Sequence, residues 1–273
     1  MNAFAQHFSF EFRTGVRNRS LLLMNYLFPM VFYLLMGSLM GQVNPGFLTN
    51  LIPAMAILAV MSGTLLALPG TLVAAREAGI FRSYRINGVP ALSTLVIPVL
   101  TGMVHAFVVT ILVSVSARSL FGAVLPVSWP GFLLVFMVMA FAFAGIAALI
   151  GVISSNTQMT VMLSQLIFLP SMILGGLMVP TSLLPVGLGR VALILPTSYA
   201  TSAFGGLAMG QPAAIAPWLS LGVLVSGGAL AFLLGVYLFS WDSKNATRRG
   251  HPSLALVAWL PYFVGLVLSV WAG

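Results

Sequence analysis

SLLLMNYLFPMVFYLLMGSLMGQVNPGFLTNLIPAMAILAVMSGTLLALPGTLVAA, residues 20–75, decides the fold, because 56 consecutive positions carry no charged side chain. A second charge-free run of 71 residues separates Arg118 from Arg190. Hydrocarbon offers no water to backbone N–H and C=O groups, so long apolar runs that cross it become helices. Ser20–Gly41 is 22 residues, about 33 Å at 1.5 Å per residue, enough to cross a core about 30 Å thick. Gln42–Asn50 then breaks the run with the turn chemistry of Asn44-Pro45-Gly46. Further spans are expected at Leu51–Ala75, Val89–Ser116, Trp129–Ile153, Thr157–Val179 and Ala216–Ser240. Ser154-Ser155-Asn156 makes the short polar turn between the fourth and fifth. Ser253–Ala272 is a shorter seventh apolar stretch, interrupted by Pro261.

Composition agrees. The 273 residues include 11 basic and three acidic ones, 60% are hydrophobic, and mean hydropathy is +1.11. A soluble chain carries about a quarter of its residues charged and needs that polar surface to face water. A soluble enzyme, a disordered chain and a nucleic-acid-binding domain are therefore excluded, and nucleic acid is no partner. The lipid bilayer is. With no cysteine there is no disulfide, thiolate chemistry or Cys-based metal site.

Orientation follows from the lysines and arginines of the short loops. With the N-terminus cytoplasmic, Arg13, Arg17, Arg19, Arg76, Arg82, Arg85, Lys244, Arg248 and Arg249 lie inside, and only Arg118 and Arg190 outside. The chain is thus expected as a multi-pass protein of the cell (plasma or inner) membrane, N-terminus cytoplasmic. The first apolar run, at 22 residues, exceeds the roughly 7–15 of a cleavable signal. In residues 1–19, Phe4, Phe8, Phe12 and Val16 recur every four positions opposite Gln6, Arg13 and Arg17, the pattern of a helix lying in the cytoplasmic interface. Residues 180–212 hold Pro180, Pro185, Pro196, Pro212 and Arg190. They are expected to dip partway into the bilayer as two short helices, Leu188–Leu195 and Tyr199–Met209, packed against protein.

Catalytic motifs are scarce. The phosphate-loop pattern needs glycine before its lysine, and the one lysine, Lys244, follows Ser243. Three scattered histidines, 7, 105 and 251, make no metal site, and Ser62, Ser164 and Ser171 lack an acid at membrane depth. The chain is not read as an enzyme, and no metal or catalytic residue is assigned. No Asp or Glu lies in a span, so His105 is the lone candidate for ion coupling. Its favoured role is a neutral imidazole bonded to a neighbouring helix. Asn25, Gln158 and Gln165 are likewise read as interhelical bonding groups. Gly37-x-x-x-Gly41 and Gly206-x-x-x-Gly210 have the spacing that allows close helix approach.

The most informative loop is Arg76–Pro90, REAGIFRSYRINGVP. Its pattern predicts a basic amphipathic helical turn, with Ile80, Phe81 and Tyr84 clustered and Arg82 and Arg85 on another face. Glu77 is placed in its first turn, and Asn87-Gly88 ends it. The loop resembles the type 2 family of ABC transporter permeases, whose members show R-E-x-G-T-L-x-x-L-x-x-T-P-V-S after their second span. Arg76, Glu77, Gly79 and Pro90 match it, Phe81 and Tyr84 fall at or near its apolar positions, and Ile80 replaces the threonine. GGLMVPTSLLPVGLGRVALILPTSYATSAFGGLAMG, residues 175–210, is similar to the family's later stretch of G-x-x-x-P, L-P, an N/L-P-x-x-Y element and a closing glycine.

The resemblance, over roughly residues 5–242, implies an all-α polytopic membrane protein. It implies the six-span type 2 permease fold, with an N-terminal interfacial helix and re-entrant outer helices between spans five and six. The seventh stretch is additional to that pattern. On this reading residues 1–19 are the interfacial helix and 20–241 the permease domain, with a coupling loop at 76–90 and the outer segment at 180–212. Residues 242–251 are a cytoplasmic linker and 252–273 an extra span. The implied function is the permease subunit of an ATP-binding cassette exporter. Two copies, as homodimer or heterodimer, pair through spans one and five around a path lined by spans two and five, driven by two separate ATPase subunits. ATP and magnesium belong to that partner, and the substrate is an unidentified apolar or amphipathic molecule. Glu77, Gly79, Phe81, Arg82, Tyr84 and Arg85 are the expected ATPase contacts. Met55, Met61, Met162, Gln165, Phe168 and Met172 are the expected path residues, since methionine suits an adaptable apolar surface. The rival readings are an ion-coupled secondary carrier using His105 and a non-transporting membrane scaffold.

Overall fold

Asn18 ends one helix and begins the next. Its backbone N–H closes onto the Thr14 carbonyl, and its side-chain oxygen accepts from the N–H groups of Ser20 and Leu21. An asparagine N-cap thus lets the chain turn from the N-terminal helix, Ala3–Arg17, into the first span, Arg19–Val43. The computed structural model describes residues 3–178, 184–242 and 249–271. Val179, Pro180, and Lys244 and Arg248 of the linker, lie outside the described residues, as do the side chains of Phe4, Gln6 and Val16.

Among the described residues there is no strand, and seven helices are long and apolar enough to cross a membrane. After the first span they are Leu51–Glu77, Ala91–Phe121, Trp129–Ile153, Thr157–Leu174, Pro217–Leu238 and Pro252–Ser269. The second sits at the centre. Every residue of Leu51–Met61 is buried, which suits a helix apolar on all sides. The third runs past Arg118 to Phe121, five residues beyond its expected end at Ser116. An arginine marks the water side without ending a helix, and the stop is Gly122, whose φ of 71° is the left-handed conformation of a helix cap. The fifth is shorter than expected. It ends at Leu174 because Gly175 lies against the next segment: a Cβ there would stand 2.2 Å from Thr197 Oγ1.

Two short helices follow, at Val186–Ala192 and Pro196–Leu207, each starting and ending two or three residues before its expected bounds. Pro196 opens the second instead of preceding it, since a first-turn proline forfeits no helical hydrogen bond. Tyr199, Ala200, Ala203 and Phe204 are completely buried. The seventh helix runs antiparallel to the sixth: a Cβ on Gly250 would meet Tyr237 and Leu238, one on Gly227 the Tyr262 ring, one on Gly265 Val223 and Tyr199 Oη. Tyr199 Oη donates to the Tyr262 carbonyl at 3.2 Å, tying the seventh helix to the Pro196–Leu207 helix. Pro261 lies in the first turn of the helix Leu260–Trp271, so it does not interrupt the span.

A close backbone approach joins spans four and six, and neither flagged glycine pair makes it. A Cβ on Gly145 would stand 2.5 Å from the Gly228 carbonyl oxygen, and one on Gly228 would stand 2.6 Å from the Ala142 Cα. Gly37 instead faces the Phe121 ring and Gly206 the Pro217 ring. Small residues at such crossings let backbones pack by dispersion where lipid removes any hydrophobic drive. Gly228→Val should therefore cost at least about 1–3 kcal/mol by overpacking and lower the thermal unfolding midpoint in detergent. Gly222→Ala, where a Cβ meets nothing within 4 Å, should be neutral or stabilising by up to about 1 kcal/mol.

Candidate functional site

The second span stops at Glu77, and its last turn closes with the Ala78 N–H on Ala74 and the Gly79 N–H on Arg76. Gly79 has a φ of 74°. A side chain is strained in that left-handed region, so glycine is what lets the chain reverse into the loop helix, Ile80–Ile86. Glu77 therefore sits at the C-terminal end of the span helix, and not in the first turn of the loop helix as expected. The same turn separates two sets of residues that the sequence pattern lumped together.

One set points inward. Phe81 is buried, its ring 5.5 Å from that of Phe239 at the end of the sixth span, and Phe239 meets Trp241 edge-on at 5.0 Å. Phe81, expected as an ATPase contact, is packed inside this chain and anchors the loop helix to its own bundle. Arg76 is also buried, and donates from Nη1 to the Val152 carbonyl at 3.1 Å and from Nη2 to the Ser154 carbonyl. These are the last carbonyls of the fourth span, a helix end that favours a cation and lacks intrahelical donors. The other set points outward: Glu77, Gly79, Arg82 and Arg85 are exposed, and so is Ile86, at 79%.

Tyr84 is half-buried and faces the N-terminal helix. Burial pushes its phenol up, and the nearby Glu11 charge pushes it further. Burial also raises the Glu11 carboxyl above the ordinary 4.5. Phe12, one residue on, stacks on His105 at 4.9 Å and 7° between planes. Tyr26 Oη and His105 Nδ1 are 2.6 Å apart, a hydrogen bond from the first span to the third. His105 is thus bonded to a neighbouring helix, as its favoured reading has it.

The expected path residues are not brought together. Met55 and Met61 lie in the core of the chain with 1% and 0% exposure, and Phe168 and Met172 are buried as well. The second span has no free side along Leu51–Met61, so this stretch lines no surface. Gln165 is half-buried. Met162 alone is open, on a fifth-span stripe with Leu166, Leu169 and Ile173. Phe28 of the first span packs on Phe168 at 6.1 Å, so spans one and five touch at this ring pair. Sequence reading missed Arg76 as a structural tie, and Phe239 and Trp241 as the seat of Phe81. An arginine immediately after an apolar span was the available signal for the first.

A family model described as "ABC-2 type transporter" matches residues 3–208, well over half of the chain and ending before the sixth span. No curated protein and no solved structure matches.

Arg76→Ala should lower stability by about 1.5–3 kcal/mol, the worth of hydrogen bonds made by a charged group, read as the thermal midpoint in detergent. Arg76→Lys should recover part of that loss, since an ammonium lacks the planar fork. Glu11 gives a pH signature. Its folded pKa is raised, so the stability tied to its neutral form is fully present below 4.5 and is lost as pH rises through the folded value. Glu11→Gln should remove that part of the pH dependence and raise the midpoint at neutral pH.

Proposed function

We propose, for a chain that belongs to the ABC-2 type transporter family and is therefore the membrane permease subunit of an ABC transporter, an export cycle driven through the loop helix by separate ATPases. The observation that carries this reading is the two-sidedness of that helix. Phe81 is locked under it while Arg82, Arg85 and Ile86 stand free on its other side. A basic face flanked by two exposed apolar residues, Ile80 and Ile86, suits docking on a water-soluble protein better than burial in lipid.

Force has two routes inward from such a contact. Phe81 presses on Phe239 and so on the sixth span, and Arg76 grips the end of the fourth. A displacement of the loop helix would reach the sixth span directly through Phe81, and the fourth through the end of the second span, where Arg76 sits. The energy comes from ATP and magnesium bound by two copies of the partner, because this chain has no phosphate loop. The exposed apolar stripes of spans one and five, Leu27, Val31 and Leu34 on one and Met162, Leu166 and Ile173 on the other, are the surfaces through which a second permease subunit, identical or homologous, would pair. The substrate path then lies between two copies near the fifth span, since the second span is enclosed. The lysine and arginine asymmetry supports a cytoplasmic N-terminus and an inner or plasma membrane location.

Arg82→Ala combined with Arg85→Ala should leave the isolated permease folded, with an unchanged thermal midpoint. It should cut ATPase co-purification and transport-linked ATP turnover by about tenfold or more, equivalent to about 1.4 kcal/mol of contact. Unchanged turnover in that variant would sink the docking assignment.

A further inference from the structure

We propose that this chain carries, within one copy, a binding site for an amphiphile with a cationic, hydrogen-bond-donating head. The site is a cavity of about 610 Å³ enclosed by the N-terminal helix, the first three spans and the loop helix. That volume falls in the range of about 300–1,000 Å³ typical of small-molecule sites. It is separate from any path between two copies, and occupancy requires neither a second permease nor an ATPase.

The backbone around the cavity is shaped for something other than packing. The first span is π-helical at Leu23–Leu27 and the second at Ser62–Leu66, and both segments border the cavity through Asn25 and Gly63. A Cβ on Gly63 would stand 3.4 Å from Asn25 Oδ1, so the two widened turns face each other. Single π turns inside α-helices cost hydrogen-bond geometry and occur most often at functional sites.

Polar atoms there are left without partners. Asn25 is 5% exposed and its Oδ1 accepts no hydrogen bond, although sequence reading assigned it to interhelical bonding. His105 is 2% exposed, its Nδ1 occupied by Tyr26, and its Nε2 has no partner among the described residues. Both residues line the cavity. A buried polar atom left unbonded costs about 1–3 kcal/mol, so two in one cavity point to a ligand that bonds them.

The head group follows from what the lining offers. Thr71, Thr94 and Thr101 spend their hydroxyl protons on the carbonyls of Leu68, Pro90 and Ile97. They present oxygen lone pairs inward, as does Asn25. Among the described lining residues Glu11 is the one that carries a charge, and none of them is arginine or lysine. An acceptor-rich chamber holding a carboxyl selects a positively charged donor and disfavours an anionic head. The remaining walls, Leu21, Ala67, Leu68 and Leu72 among them, suit an apolar body. Ile80, Phe81 and Tyr84 form part of the enclosure, so an occupant touches the loop helix directly.

The test uses the purified full chain alone, in nanodiscs of zwitterionic lipid, with rhodamine 6G as the probe and fluorescence anisotropy as the readout. Saturable binding is expected. Ala74→Trp, which fills the cavity from its exposed wall, and Glu11→Gln, which removes the charge at constant shape, should each raise Kd by about tenfold. An anionic amphiphile, dodecanoyl-aminofluorescein, should neither bind saturably nor compete. Thermal midpoints establish that each variant is folded, and Glu11→Gln keeps the test decisive if Ala74→Trp is not. No saturable binding, equal binding by folded wild type and Glu11→Gln, or competition by the anionic probe would each overturn the proposal. None of these bears on ATPase docking, which the arginine pair tests independently.

Discussion

A polar group inside hydrocarbon has only the protein to bond with, and that shortage arranges most of this molecule. Thr64, Thr101, Thr110 and Ser154 turn their hydroxyls back onto carbonyls of their own helices. Asn18, Ser128 and Asn156 each cap a helix start, taking up N–H groups that would otherwise have no acceptor. Arg76 does the same at the opposite pole, supplying donors to the last carbonyls of the fourth span. Among the described residues, Asn25 Oδ1 and His105 Nε2 are two of several buried polar atoms without a partner, and their residues line the same cavity.

Packing obeys a related constraint. Lipid tails are as apolar as leucine, so helices gain little by merely covering one another and must interlock to stay together. Gly145 against Gly228, Gly227 against Tyr262 and Gly265 against Tyr199 are the places where a missing side chain admits a neighbouring backbone or ring. Through them the seventh helix becomes part of the same body as the sixth and the Pro196–Leu207 helix. Its Tyr262 is fully buried although the family match ends at residue 208. The seventh helix is therefore built into the fold.

Stiffness at the loop helix has the same origin. Gly79 permits a sharp reversal, Phe81 and Arg76 fasten both sides of it, and the N-terminal helix closes over Tyr84 and His105. A short helix so tied cannot shift without disturbing Phe239 at the end of the sixth span. Glu11, half-buried beside it, sets a carboxyl where burial disfavours its charge. A site that holds a charge at some cost to stability is the usual mark of a group kept for binding.

Charge placement and apolar run length were enough to number the spans, locate the Asn44–Gly46 and Ser154–Asn156 turns, foresee two short helices before the sixth span and single out the 76–90 loop. These are one-dimensional properties, since a run either is or is not long and apolar enough to cross. Which side of each helix faces inward was not legible. In water the buried face is apolar and the other polar, whereas in lipid both are apolar and the periodicity that would tell Met61 from Met162 disappears. Phe81 and Arg82 are adjacent in the chain, and only the reversal at Gly79 and the presence of Phe239 made one an anchor and the other a free surface. The cavity likewise exists only where two widened turns, from spans 38 residues apart between Asn25 and Gly63, come to face each other. Tertiary structure decided these because they depend on which helix neighbours which, a choice made by close contacts of a few ångströms that no spacing along the chain records.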